Sequence, residues 1–239
     1  NLVTPFTFGS NSSSPTNFAD VNGTLYFAAN DGSTGAELWK SDGTLEGTVL
    51  VKDIQSGSGG STPPNLVNVN GTLFFTADDG SSGQELWKSD GTKAGTVLVK
   101  DVRPGGYDRS PRSLTVSDGL LFFSARAGFH VRELWASDGT QGGTALVKDI
   151  TAGTSGNGYS PSFLTDVQGT LFFSADDGTN GQALWKSDGT EGGTVLVKAI
   201  QPGGGDSALV RIPGLEVIRM IVEAVVGHPD LQHLIRLPG

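Results

Sequence analysis

The chain's four tryptophans, Trp39, Trp87, Trp135 and Trp185, stand 48, 48 and 50 residues apart, each in a nearly identical octapeptide. Glu37-Leu38-Trp39-Lys40-Ser41-Asp42-Gly43-Thr44 returns as Glu85-Leu86-Trp87-Lys88-Ser89-Asp90-Gly91-Thr92, and again around Trp135 and Trp185. Upstream, Leu25-Tyr26-Phe27 recurs with the same spacing as Leu73-Phe74-Phe75, Leu121-Phe122-Phe123 and Leu171-Phe172-Phe173. The two extra residues of the last interval fall between Asp149 and Leu164, in a Gly/Ser/Thr stretch that a loop absorbs. Self-similarity at this period means supersecondary units that bury their faces on neighbours of their own kind.

The second unit shows what one repeat is. Residues 64–69 predict a strand, and Asn70-Gly71 predicts a two-residue hairpin turn whose central positions both take positive φ. Residues 72–77 predict a second strand, 78–83 a turn, 84–89 a third strand, 90–95 another turn and 96–102 a fourth strand. A sheet with one wet face alternates apolar and polar residues. Here Leu73-Phe74-Phe75 and Val97-Leu98-Val99 are apolar at consecutive positions, so both faces are covered. Four-stranded antiparallel sheets stacked between their own kind form a β-propeller. The expected fold is therefore all-β, with about four blades of 48–50 residues. A two-sheet sandwich ranks lower because it leaves one face of each sheet wet, and a parallel β-helix lower still because its coils lack two-residue hairpins.

Composition sharpens this. Thirty-six glycines in 239 residues would suit a linker, but here they recur at turn positions. The net charge of −9 argues against binding nucleic acid or an anionic lipid surface. With no cysteine there are neither disulfides nor thiolate metal sites, and no apolar run reaches the roughly 20 residues of a membrane span. A chain that starts at Asn1 with Met220 as its single methionine reads as a processed form, a fragment or an incompletely known sequence.

The Glu-Leu-Trp-x-x-Asp-Gly-Thr motif, with its Leu-Phe-Phe marker, resembles the ELWxxDGT repeats of large, mostly uncharacterised bacterial surface or secreted proteins. The resemblance covers Asn17 to about Gly204; Ala136 stands where other units have Lys, and Ala183 replaces Glu. It implies a propeller-like fold and an extracellular or cell-surface location, with no established activity. The repeat region is expected over residues 1–205, with units near 15–62, 63–110, 111–158 and 159–205. Residues 1–14 read as a lone outer strand that completes the last blade of its own ring, pairs with another subunit, or marks a longer array. Residues 206–239 break the pattern. Positions 215–226 are apolar at nine of twelve, Gly227 stands where a helix would end, and Asp230 could cap a second helix, so the tail reads as helical.

Several residue groups are candidate sites. Asp31, Ser33 and Glu37, like Asp79, Ser81 and Glu85, alternate oxygen donors as a Ca²⁺ loop does, or else form plain Asp-Gly turns. Asp42, Asp90, Asp138 and Asp188 recur in every unit and read as structural turn caps. The four tryptophans read as inter-blade core, or as sugar-stacking rings if exposed. All eight arginines lie in the third unit or the tail. In the third unit Arg103, Tyr107, Arg109, Arg112, Arg126, His130 and Arg132 suggest an interface or an anion contact. No motif for nucleophilic or zinc catalysis is present. These features predict an exported, non-enzymatic propeller, a structural or adhesive surface module self-assembling into a fibre or surface layer. A lectin with one shallow glycan site per blade is the alternative, and a glycan-active enzyme ranks last.

Overall fold

The computed structural model describes residues 12–102, 111–126, 132–151 and 160–199. Sixteen strands fall into four antiparallel sheets of four, and no helix occurs among the described residues. Blade 1 comprises β1 (Thr16–Val21), β2 (Thr24–Asn30), β3 (Ala36–Ser41) and β4 (Val49–Lys52). Blade 2 comprises β5 (Val67–Val69), β6 (Thr72–Asp78), β7 (Gln84–Ser89) and β8 (Val97–Lys100). Blade 3 comprises β9 (Arg112–Ser117), β10 (Leu120–Ala125), β11 (Glu133–Ser137) and β12 (Ala145–Lys148). Blade 4 comprises β13 (Ser162–Val167), β14 (Thr170–Asp176), β15 (Gln182–Ser187) and β16 (Val195–Lys198). Each blade is a meander with its strands side by side in chain order. β5 lies against β1 and β9, and β9 against β13, so the first strands line the inner side. This is a β-propeller arrangement. The helical tail expected over 206–239, and residues 1–11 of the expected N-terminal strand, lie outside the described residues.

The first hairpin of each blade turns on two left-handed residues. These are Asn22-Gly23 (φ 54° and 82°), Asn70-Gly71 (51° and 84°), Asp118-Gly119 (47° and 75°) and Gln168-Gly169 (52° and 80°), the conformation that matches the right-handed twist of the flanking strands. Asn and Gly fill most of these positions because they accept positive φ most readily. The predicted strand over 64–69 is shorter than expected, beginning only at Val67. The cause recurs in every blade: Asn17, Asn65, Ser113 and Phe163 take φ of 55–57°. In blades 1, 3 and 4 this kink forms a bulge and the ladder resumes beyond it. In blade 2 the ladder stops, leaving the bonds from Thr76 N to the Pro64 carbonyl (3.3 Å) and from Asp78 N to the Ser61 carbonyl (3.2 Å).

Period-two alternation sends successive side chains to opposite neighbours. Leu73, Phe75, Ala77 and Trp87 face blade 1, where they meet Val21, Tyr26, Leu38, Val51 and Ile54. Phe74 and Leu86 face blade 3 and join Leu121, Phe123, Ala125 and Trp135. Phe122 and Leu134 likewise meet Leu171, Phe173 and Trp185 of blade 4. Each blade thus has a leading face (toward the preceding blade) and a trailing face (toward the next). Each fully buried Leu or Phe contributes roughly 1.5–3 kcal/mol, so the blades are held chiefly by one another. One contact repeats: the ring of Tyr26, Phe74 or Phe122 lies against Gly91, Gly139 or Gly189 of the next blade. Those glycines take φ of 85–89°, and a Cβ on Gly139 would approach Phe74 Cζ to 2.8 Å.

Gly91→Ala is expected to lower stability by the strain of an L-residue at positive φ, about 1 kcal/mol, plus the displacement of Tyr26. Gly43→Ala carries the strain alone, because no described atom lies within 4 Å of its added Cβ. Paired thermal melts should show the larger loss for Gly91→Ala; equal losses would show that this contact contributes no packing energy.

Candidate functional site

The Ser-Asp-Gly-Thr turns are closed networks. Asp42 Oδ1 accepts from Thr44 N (2.9 Å) and Thr44 Oγ1 (2.7 Å), and Gly47 N donates to Thr44 Oγ1 (2.9 Å). Thr48 Oγ1 donates to the Thr44 carbonyl (2.6 Å) and pairs with Ser41 Oγ (2.7 Å), which accepts from Gly43 N (3.0 Å). The pattern repeats at Asp90, Asp138 and Asp188. The threonine hydroxyls and amides hold these carboxyls below their ordinary pKa. A Cβ on Gly47, Gly95, Gly143 or Gly193 would collide with the carboxylate. The octapeptide therefore extends to a Gly-Thr pair that the sequence reading passed over, though it recurs just as regularly.

The loops before each Trp divide their carboxylates between two tasks. Asp31 Oδ1 accepts from the amides and hydroxyls of Ser33 and Thr34 at 2.8–3.0 Å. Burial works to raise its pKa, but these four bonds outweigh that and bring it to about 2. Asp79 does the same with Ser81 and Ser82. Glu37 is fully buried and points elsewhere, accepting from Ile54 N, Gln55 N, Ser61 N and Ser61 Oγ. It pins the segment that crosses from blade 1 to blade 2. Glu85 accepts from Val102 N, and Glu133 from Ile150 N, Thr151 N and Thr151 Oγ1, at the corresponding crossings. The alternating donors read as Ca²⁺ loops are thus spent on different partners, Asp31 and Asp79 on their own turns and Glu37 and Glu85 on the crossings. No group of three or more His, Asp or Glu side chains converges among the described residues.

Burial pushes Glu85 up to about 8, with the nearby charges of Asp101 and Asp79 adding to the effect against the bond from Val102. Glu37 and Glu133 are raised for the same first reason, burial. Trp87, Trp135 and Trp185 are only 6–7% exposed and lie in the inter-blade clusters. Trp39, in blade 1, is half-buried.

Of the third-unit residues, Arg103, Tyr107, Arg109 and His130 lie outside the described residues. Arg112 is exposed at the start of β9, and Arg126 is half-buried. Arg132 departs from the expected surface contact: it is buried and donates from Nη1 to the Ser124 carbonyl of its own blade (3.2 Å). In blades 2 and 4 that position is Gln84 or Gln182, so the extra length is spent inside the sheet.

Lysines stitch the blades together. Lys40 Nζ donates to the Gly91 carbonyl (2.8 Å) and Lys88 Nζ to the Gly139 carbonyl (2.9 Å); Ala136 forgoes the equivalent bond. Lys52, Lys100 and Lys148 donate to the carbonyls of Thr96, Thr144 and Thr194 (2.7–2.8 Å). Lys52 also lies over the Trp87 ring, 5.5 Å from its centroid. The outer two faces are different. On the trailing face of blade 4, Val197 is 38% exposed where Val51, Val99 and Val147 are 5–8%, and Phe172 is half-buried where Phe122 is 1%. A cavity of about 340 Å³ opens there beside Thr170, Lys186, Asp188, Gly193 and Val195. On the leading face of blade 1, Leu25 is 39% exposed where Leu73, Leu121 and Leu171 are 0%.

No family model and no curated protein matches the chain. Solved structures do resemble it. One is the β-propeller domain of the Trilobed protease from Pyrococcus furiosus, 10% identical over 80% of this chain and 57% of that one (TM-score 0.47). Others are an endo-arabinase from Bacteroides thetaiotaomicron, 18% identical over 80% of each chain (TM-score 0.36), and an α-L-arabinofuranosidase from Clostridium thermocellum, 14% identical over 76% and 70% (TM-score 0.37). The chain spans 24–57% of the length of the first structures it matches, which include a prolyl endopeptidase and a puromycin hydrolase. At this identity the likeness concerns the fold alone. It corrects the expectation of a non-enzymatic chain: the propellers it resembles belong to peptidases and glycoside hydrolases, and a missing motif does not exclude catalysis on such a scaffold.

The carboxyls give stability two opposed pH dependences. The Asp caps, depressed in the folded state, stabilise above their unfolded pKa, and that contribution is lost as pH falls from about 4 toward 2. Glu85, raised to about 8, binds its proton more tightly when folded, so its contribution is full below about 4.5 and lost as pH rises to 8. Melting temperature should peak near pH 4–5 and decline through neutrality, and Glu85→Gln should flatten the decline. An unchanged slope between about pH 4.5 and 8 in that variant would refute the assignment.

Proposed function

We propose that the chain is an extracellular or cell-surface structural and adhesive module that works by assembling with copies of itself. The observation that carries this reading is the pair of uncovered outer faces. The residues that repeat in every blade are consumed in turn closure and in blade-to-blade contact, whereas blades 1 and 4 each keep one such face exposed. Exposed apolar faces on a sheet are sites of association. The surface location rests on the resemblance of the repeat to those of bacterial surface proteins. The burial of Trp87, Trp135 and Trp185 weighs against glycan stacking on these rings.

Electron microscopy together with light scattering of the full chain tests this directly. Rings or filaments with masses at integer multiples of the chain are expected at micromolar concentration. A single species of monomer mass up to about 100 μM would overturn the reading, since that corresponds to association weaker than roughly −5.5 kcal/mol.

A further inference from the structure

We infer that the trailing face of blade 4 seats the leading face of blade 1 of a second copy of this chain, head to tail. This rests on the self-assembly reading above and names its partner surface. The template is the interface the chain builds three times within itself. At each, an aromatic ring of one blade lies on the positive-φ glycine of the next blade's Asp-Gly-Thr turn: Tyr26 on Gly91, Phe74 on Gly139, Phe122 on Gly189. At each, a lysine from the fourth strand donates to the threonine carbonyl that follows that turn. At two of the three, a third-strand lysine also donates to the glycine carbonyl. The hairpin tips meet as well: Asn22 packs at Gly71, Asn70 Nδ2 donates to the Gly119 carbonyl (3.3 Å), and Asp118 lies by Gly169.

Blade 4 repeats the projecting half of this set with Phe172, Lys186, Lys198 and Gln168. Blade 1 repeats the receiving half. An added Cβ on Gly43 or Gly23 meets nothing within 4 Å among the described residues, whereas its counterparts on Gly91, Gly139 and Gly189, and on Gly71, Gly119 and Gly169, all meet the preceding blade. Within one chain the two halves remain apart, as the exposure of Leu25 and Val197 records. Between copies, Phe172 covers Gly43, Lys186 donates to the Gly43 carbonyl, Lys198 donates to the Thr48 carbonyl, and Gln168 meets Gly23. The contact is heterologous, so it either closes into a ring of copies or runs on as a filament.

The test uses the full chain and three variants, with circular dichroism and melting curves confirming that each is folded. Phe172→Glu with Val197→Glu spoils the projecting face, and Leu25→Glu spoils the receiving face. Each should raise the apparent dissociation constant at least about 30-fold and leave monomers by native mass spectrometry. Mixed one to one, the two spoiled chains should give dimers and nothing larger, because each retains one sound face. Lys186→Ala with Lys198→Ala removes only donors at the surface and should weaken assembly about tenfold, which keeps the inference testable if an apolar variant misfolds. Wild-type chains that stay monomeric would overturn both this inference and the self-assembly reading. Assemblies that survive all three variants would overturn the inference alone, placing the contact elsewhere. A mixture that stays monomeric would show that the two faces do not meet.

Discussion

A sheet of four short strands with both faces apolar cannot hide either face by itself. Between consecutive blades each face is buried on its neighbour, and at every such seam one blade's aromatic ring sits on the next blade's turn glycine. The glycine takes positive φ in the Asp-Gly-Thr turn, and its carbonyl accepts from a lysine of the preceding blade at two seams. The aspartate must hold the turn in that shape without outside help, which the Thr44 amide and hydroxyl allow. Gly47 leaves room for that carboxylate, and the buried Ser41–Thr48 pair anchors the turn to the strands on either side.

The buried glutamates solve a second problem created by the same architecture. A polypeptide passing from the outer strand of one blade to the inner strand of the next crosses a region without ladder partners. Its amides would be left unsatisfied, at a cost of about 1–3 kcal/mol each. Glu37 meets three amides and a hydroxyl there. A neutral glutamine offers fewer acceptor sites, while an ionised carboxylate is disfavoured by the burial that the crossing requires. The raised pKa of Glu85 reflects that conflict. In blade 4 the conflict is absent, because Ala183 occupies the position.

Much of this was legible in the sequence because each blade repeats the same physical problem. Consecutive apolar residues in Leu-Phe-Phe announce two covered faces, and Asn-Gly between strands announces the hairpin. What was not legible had no distinctive composition. The left-handed kink falls on Asn17, Asn65, Ser113 and Phe163, four positions that share spacing but little chemistry, so the shortened β5 could not be foreseen. Asp31-x-Ser33-x-Gly35-x-Glu37 fits a cation loop and a turn plus a buried pin equally well. Only the direction of the Glu37 carboxylate separates the two. Arg132 looked like surface chemistry because arginine usually is, yet its guanidinium lies along its own strands.

The polarity of the repeat has a further consequence. Every blade projects rings and lysines one way and offers turn glycines and carbonyls the other, so the two faces of a blade are complementary to each other and neither is complementary to itself. A two-fold dimer, which must pair a face with its own copy, would set lysine against lysine and leave the glycine carbonyls unpaired. An array of such units therefore has two unlike ends however many blades it contains, and only a unit of the same handedness and order satisfies both. The departures within the chain fit that logic: Ala136 gives up one lysine bond at an interface whose aromatic contact and second lysine remain. Blade 4 keeps Phe172, Lys186 and Lys198 although no blade among the described residues receives them.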